Sequence, residues 1–178
     1  MMTHTELLHE AVNVHLKTAI QKFLSSKADD TYKDKLRNIT VKVSINPRMK
    51  SAAGRAIKTR IGGSLEIELN PKLFNRCTFE ERYETVSHEM AHIVDFAIRG
   101  RSNHDLHWKQ LHMFLGGKAA RCHRINMKGI GGRDYLVVCK TSGKQWWVTA
   151  RKMRKVHPDK YEVFHISSKD VAKYEKAV

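Results

Sequence analysis

Two histidines and a glutamate in residues 88–92 have the types and the spacing of a hydrolytic zinc site. In a helix, residues four apart project from the same face, so the imidazoles of His88 and His92 can bind one metal ion. Glu89 lies beside the first histidine, where its carboxylate can take a proton from water that the metal activates. The segment therefore predicts metal-assisted hydrolysis, provided that it is helical.

The flanking residues predict that helix. Thr78 and Glu81 have the spacing of a capping box, which closes a helix N-terminus, and Gly100 is a typical stop. Between them, apolar residues recur every three or four positions, as on the buried face of an amphipathic helix: Phe79, Tyr83, Val86, Met90, Val94 and Ala97. The alternative is a solvent-exposed helix surface that carries histidine and glutamate by chance.

A catalytic zinc ion usually has three protein ligands and an open fourth position. Two common sources of the third ligand are absent. Asp95 and Ile98 stand where metzincins carry glycine and histidine, and no glutamate occurs between Glu89 and Glu162 to act as in thermolysin. Asp95 is instead a candidate for orienting a ligand imidazole through a hydrogen bond.

The polar stretch 102–108, just past the predicted helix, is the remaining source of a third ligand. It contains two histidines, His104 and His107, and one aspartate. A chain reversal after Gly100 could bring this stretch back beside His92. Spacing alone leaves both histidines open as the third ligand.

These residues together resemble the SprT-like (Spartan-type) zinc metalloproteases. In that family a zinc-binding helix and a loop precede the pattern His-Gly-x-x-Trp or His-Gly-x-x-Phe, which opens the next helix. Residues 104–108 fit this pattern with Asp105 in place of the glycine. The resemblance implies that His104 is the third ligand, ahead of His107. It covers roughly residues 5–120.

The resemblance implies a zinc-dependent endopeptidase with one Zn²⁺ per chain and Glu89 as the general base. The family is associated with DNA and DNA-bound proteins, so the implied partners are DNA, bound without sequence specificity, and protein substrates, in the repair of DNA–protein crosslinks. One alternative is a nucleic-acid-binding protein with a structural or vestigial metal site, although such a site needs no general base. Another is a metal-dependent hydrolase that cleaves a different bond.

The predicted fold is α+β, with a zincin-like metalloprotease domain over residues 1–120. Its expected elements are an N-terminal helix, three strands, the helix of the histidine pair and a supporting helix: 5–24, 39–45, 54–57, 65–69, 78–100 and 106–115. The third strand could pair with an extended peptide substrate.

Two further features of this domain are predicted from composition. Residues 25–35 are polar and are interpreted as a connection with a turn near residue 29. His4, His9 and His15 lack the spacing of a metal site, so they are predicted to lie on the surface.

Residues 121–178 are predicted to form a small β-rich lobe, with strands at 135–139, 145–148 and 161–165. Many SprT-like proteins end in a zinc ribbon held by two Cys-x-x-Cys pairs. This chain lacks those pairs, so we expect a ribbon-like lobe with an apolar core in place of a metal. The alternative is a second zinc site built from Cys122, His123, Cys139 or His165.

The excess positive charge lies mainly in this C-terminal part. Residues 118–178 carry 15 Lys and Arg against 5 Asp and Glu. Basic residues near aromatic ones suit phosphate contact and base stacking, which predicts nucleic-acid binding by Arg151, Lys152, Arg154, Lys155 and Trp147. The alternative is a solvated basic face, with Trp146 and Trp147 in the core of the lobe.

Composition also predicts the compartment. The chain has no run of 18 apolar residues, which argues against a membrane span. Its first residues lack the layout of a secretory signal. Three cysteines, an odd number without close pairing, favour a reducing compartment over a disulfide framework. We therefore expect a cytoplasmic protein, or a nuclear one in a eukaryote.

Overall fold

The computed structural model describes residues 4–60, 63–120 and 135–166. Within these residues the chain forms two compact units, each with a small three-stranded sheet. Helices and strands are mixed along the chain, so the fold class is α+β, as predicted. No helix of the described residues is both long and apolar enough to cross a lipid bilayer.

The first unit contains five helices and three strands among its described residues. In chain order these are α1 (His4–Ser25), α2 (Asp30–Arg37), β1 (Val41–Ile45), β2 (Gly54–Lys58), β3 (Leu65–Leu69), α3 (Pro71–Phe74), α4 (Phe79–Arg99) and α5 (Leu106–Phe114). The predicted boundary at residue 120 stays a prediction, because residues 121–134 lie outside the described part.

The sheet of this unit has the order β1-β3-β2, with β3 parallel to β1 and antiparallel to β2. Ile67 and Leu69, at alternate positions of β3, are fully buried. They share one apolar core with Val86, Met90 and Ile93 of α4. The long helix therefore lies against the sheet, and the burial of its apolar face holds it in place.

The predicted ends of α4 are confirmed. The Thr78 hydroxyl accepts a hydrogen bond from the Glu81 amide, and the Glu81 carboxylate accepts one from the Thr78 amide. At the other end Gly100 has φ 74°, a left-handed conformation that favours glycine. Phe79, the first residue of the helix, departs from the predicted buried stripe, with 64% of its surface exposed.

The interpretation of residues 25–35 as a polar connection was wrong, because α2 begins within them. Asp29 caps this helix, since its side chain accepts a hydrogen bond from the Thr31 amide at 2.8 Å. Leu36 is the buried residue of the helix and anchors it to the core. A single buried residue in a polar segment leaves no periodic pattern to detect.

The prediction of a surface position was also wrong for His15, which is only 2% exposed. Its ring packs on Phe79 and Tyr83, with centroids 4.6 Å and 5.9 Å away. Burial, and then the positive charge of Arg82, lower the pKa of His15 from 6.5. His9 is half-buried, and the side chain of His4 lies outside the described part.

The second unit contains β4 (Tyr135–Cys139), β5 (Gln145–Val148), α6 (Ala150–Met153) and β6 (Tyr161–His165) in its described residues. The strands are antiparallel, in the order β5-β4-β6, at the positions that the sequence predicts. Leu136 and Ile166 form a small buried core, and Trp147 packs against it.

Replacing His15 with Phe should reduce the acid sensitivity of the fold. The pKa of His15 lies below 6.5 in the folded protein, so near pH 6.5 this residue binds more protons in the unfolded chain than in the folded one. The unfolded state therefore binds more protons, and stability falls as the pH drops below 6.5 toward the lower folded pKa. His15→Phe should lose less stability than the wild type between about pH 7 and about pH 5.

Urea unfolding of the metal-free proteins at both pH values measures this difference. His9→Gln controls for the loss of a histidine from the same helix. Equal losses of stability in the wild type and His15→Phe would contradict the prediction.

Candidate metal centre

The middle of α4 carries His88, Glu89 and His92 on its inner side. His88 and Glu89 are buried, and His92 is half-buried. Because α4 packs on the sheet by its apolar residues, the helix holds these three side chains at fixed positions. The predicted helical setting of the pair is confirmed.

The third histidine comes from the loop that follows the left-handed turn at Gly100. The Nε2 atom of His104 lies 3.0 Å from Nε2 of His88 and 3.1 Å from Nε2 of His92. Ligand nitrogens about 2.0–2.1 Å from a tetrahedral zinc ion are themselves roughly 3.3–3.4 Å apart. The three imidazoles therefore fit one such ion, and among the described residues they are the group that could hold a metal.

The charge state of these rings also suits a metal. Burial, and then the neighbouring His104, lower the pKa of His92 to about 4. His92 is therefore neutral near pH 7, and the neutral imidazole is the form that binds metals.

Trp108 packs against all three imidazoles. Its ring centroid lies 4.6 Å from those of His88 and His104, and it stacks on His92 at 5.1 Å. The indole is fully buried. It therefore restricts the rotation of the three rings and keeps solvent away from one side of them.

His107 lies away from this group. Its Nδ1 atom is 2.9 Å from Oδ1 of Asp95, and its Nε2 atom is 3.4 Å from the Tyr32 hydroxyl. The sequence spacing left His104 and His107 both open as the third ligand. Of these two, the structure brings His104 beside His88 and His92.

Ser102, rather than Asp95, orients a histidine of the group. Its hydroxyl oxygen lies 2.7 Å from Nδ1 of His92, so the Nε2 atom of that ring points toward His104. Such a partner fixes the orientation of a ligand imidazole. Ser102 was not among the predicted site residues; its one signal in the sequence is a position two residues before His104 in the polar stretch.

The strand β2 holds the carboxylate of Glu89. One carboxylate oxygen accepts a hydrogen bond from the Ala56 amide at 2.8 Å. A Cβ atom at Gly54 would lie 2.8 Å from Cγ of Glu89, so glycine leaves the space that Glu89 occupies. Burial raises the pKa of Glu89 to about 7, and the hydrogen bond from Ala56 opposes part of that rise. A pKa near neutrality suits a group that gains and loses a proton.

An open cleft of about 330 Å³ gives access to these side chains. One wall is formed by residues 54–56 of β2, and another by Phe96, one turn beyond His92 on α4. Glu89, Ser102 and the three histidines also line it. A buried carboxylate and three imidazoles thus face one solvent-accessible space.

A family model described as the SprT-like family matches residues 21–128. The chain belongs to the SprT-like family. The matched segment contains all three histidines, Glu89 and the strand that holds its carboxylate. No curated protein matched the chain. The family is one of metallopeptidase type, in keeping with the histidine group of this SprT-like chain.

The second unit exposes the predicted basic cluster. Arg151 and Lys152 lie on α6, and Arg154 and Lys155 directly follow it; all four side chains are exposed. Trp147 instead packs against the small core of this unit, as the alternative interpretation has it. On the other face of the sheet, the ring of Trp146 lies edge-on to that of Tyr161, 5.3 Å away.

The sheet register separates two of the candidate ligands of a second zinc site. Cys139 pairs with Tyr161, whereas His165 pairs with Tyr135 at the other end of the same two strands. Four residues of strand span roughly 13 Å, too far for both side chains to bind one ion. Cys122 and His123 lie outside the described residues.

Single alanine substitutions should identify the ligands. His88→Ala, His92→Ala and His104→Ala each remove one of the converging nitrogens, so each should sharply reduce the zinc that the protein retains. His107→Ala is the matched control, because its imidazole contacts Asp95 instead. Metal analysis of the purified variants measures the outcome. Full retention in His104→Ala with loss in His107→Ala would reverse the ligand assignment.

Proposed function

We propose that this SprT-like chain is a zinc-dependent endopeptidase with a zincin-like catalytic domain and one Zn²⁺ per chain. The proposed ligands are His88, His92 and His104. The observation that carries the proposal is Glu89, a buried carboxylate that β2 holds beside the three imidazoles in an open cleft. A zinc site with a purely structural role needs no such acid.

In this proposal a bound zinc ion supplies a Lewis acid that polarises a carbonyl and promotes the ionisation of water. Glu89 takes the proton from the attacking water and delivers it to the leaving amine. The Ala56 amide holds one carboxylate oxygen of Glu89, which leaves the other for the proton. Ser102 orients His92, and Trp108 keeps the three rings in place.

The position of β2 indicates where a peptide substrate binds. The prediction that residues 65–69 pair with a peptide was wrong, because β3 is the central strand and both of its sides are occupied. β2 is an edge strand, and residues 54–56 line the cleft. We propose that an extended peptide adds to this edge, so that backbone hydrogen bonds bring the scissile bond to Glu89.

We further propose that the protein binds DNA without sequence specificity, acts on DNA-associated proteins and works in the cytoplasm. The support for DNA binding is the exposure of the four cations at 151–155 and the charge excess of residues 118–178. We assign the proposed phosphate contacts to these cations alone, because Trp147 already packs against Leu136 and Ile166.

Glu89→Gln should abolish proteolysis without loss of the metal. The amide oxygen of Gln can still accept the hydrogen bond from Ala56, but the side chain cannot take up a proton at neutral pH. We expect the cleavage rate to fall by about 10²–10⁴-fold. The assay uses zinc-loaded protein with a DNA-bound basic protein as substrate, and metal analysis in parallel.

Glu80→Gln is the matched control, since Glu80 is an exposed residue in the first turn of the same helix. Cleavage by Glu89→Gln at the wild-type rate would contradict the mechanism. Loss of zinc together with activity would leave the role of Glu89 as a base unsupported.

Replacing the basic cluster should weaken DNA binding. Conversion of Arg151, Lys152, Arg154 and Lys155 to Ser should reduce the slope of log K against log salt by up to roughly three to four units. Fluorescence anisotropy with duplex DNA at several salt concentrations measures it. Zinc content and cleavage of an unstructured peptide should stay near wild type, because these residues lie outside the cleft.

The control removes equal charge from exposed positions of the first unit: Lys17, Lys27, Lys35 and Lys72 to Ser. An unchanged affinity and slope in the cluster variant would identify the cluster as a solvated face. Equal losses in both variants would show that only total charge matters.

A further inference from the structure

We propose that the ion pair between Arg99 and Asp105 is a clamp that positions His104 and Ser102 for metal binding. Both residues of the pair act through Ser102 and His104, and neither of the two lines the cleft. The proposal rests on the metal centre proposed above. It adds two positioning residues that spacing and charge did not predict.

In the first part of the clamp, the guanidinium of Arg99 makes two hydrogen bonds to each of two carboxylates. Arg99 is the last residue of α4, and its Nε and Nη2 atoms each lie 2.6 Å from an oxygen of Asp95. Its Nη1 and Nη2 atoms lie 2.8 Å and 3.1 Å from the two oxygens of Asp105. Because Asp95 is fully buried, the guanidinium is held from one side and fixes Asp105 from the other.

The second part is the role of Asp105 at the start of α5. Its side chain accepts a hydrogen bond from the Trp108 amide at 3.0 Å and thereby caps the helix. One carboxylate therefore joins the C-terminal end of α4 to the N-terminal end of α5.

The loop between the two clamped ends is short and carries both site residues. It runs from Gly100 to His104, and within it Ser102 contacts His92 while His104 approaches His88 and His92. A loop of this length with fixed ends has few conformations left. The clamp thus limits the positions that the third imidazole can take before any metal binds.

The clamp depends on a residue that departs from the family pattern. Where that pattern has glycine, this chain has Asp105. A glycine offers neither a counter-ion for Arg99 nor a side-chain cap for α5. This chain thus uses a charged contact to order the segment that supplies its proposed third ligand.

The test is Asp105→Asn, which keeps a side-chain oxygen for the cap but loses the negative charge that faces Arg99. Zinc affinity is measured by competition with a chelator, and Co²⁺ is added to record the visible absorption of the metal site. We expect a loss of zinc affinity of about 10-fold or more, together with a changed Co²⁺ spectrum. The melting temperature of the metal-free protein shows whether the fold is retained.

Asp29→Asn is the matched control, because Asp29 is also an N-cap aspartate whose side chain accepts a backbone hydrogen bond, and it lies outside the histidine group. It should leave zinc affinity and the Co²⁺ spectrum unchanged. Arg99→Lys is the second variant, used if Asp105→Asn does not fold. It keeps the charge but replaces the two-carboxylate bridge by a single point of contact, so it should also weaken zinc binding.

Zinc affinity within twofold of wild type, with an unchanged Co²⁺ spectrum in a folded variant, would overturn the clamp. Failure of the metal centre itself looks different. In that case the wild type would bind no zinc, or His104→Ala would bind it as well as the wild type does.

Discussion

The close approach of three imidazole nitrogens is the constraint on which this unit depends. Helix geometry places His88 and His92 on one face, but it cannot bring a third imidazole to them from the same turn. His104 must therefore return from a loop, and like charges at this distance would drive it away. Burial keeps His92 neutral, and Trp108 packs against every ring. The apolar core beneath α4 is what holds this arrangement together.

The small sheet also holds an acid, Glu89, beside the histidines. A buried carboxylate is costly unless a donor meets it, and the Ala56 amide of the edge strand supplies that donor. The same strand forms a wall of the cleft. The strand that stabilises Glu89 is thus also the strand that a peptide would meet. In the proposed mechanism, one strand therefore aligns both the base and the substrate.

Local features of this chain could be predicted from sequence, and contacts between distant segments could not. The caps and the histidine pair of α4 follow from neighbouring residues, so they were found. Leu36 was missed because one buried residue makes no pattern, and His15 because its burial depends on packing against α4. The preference for His104 over His107 came from family resemblance. Spacing alone did not distinguish the two histidines, because the way in which the loop after α4 folds back decides which of them reaches His88 and His92.

The absence of a side chain at Gly54 links β2 to α4, two elements that lie far apart in sequence. The space that a methyl group would need there is already filled by Glu89 and Leu69. A larger residue at this position can be accepted in evolution only if the side chain of Glu89, the helix or the strand shifts, or if the acid is lost. Substitutions at this contact in the strand and in the helix are therefore coupled. In a collection of related sequences, glycine here should accompany the glutamate and disappear along with it.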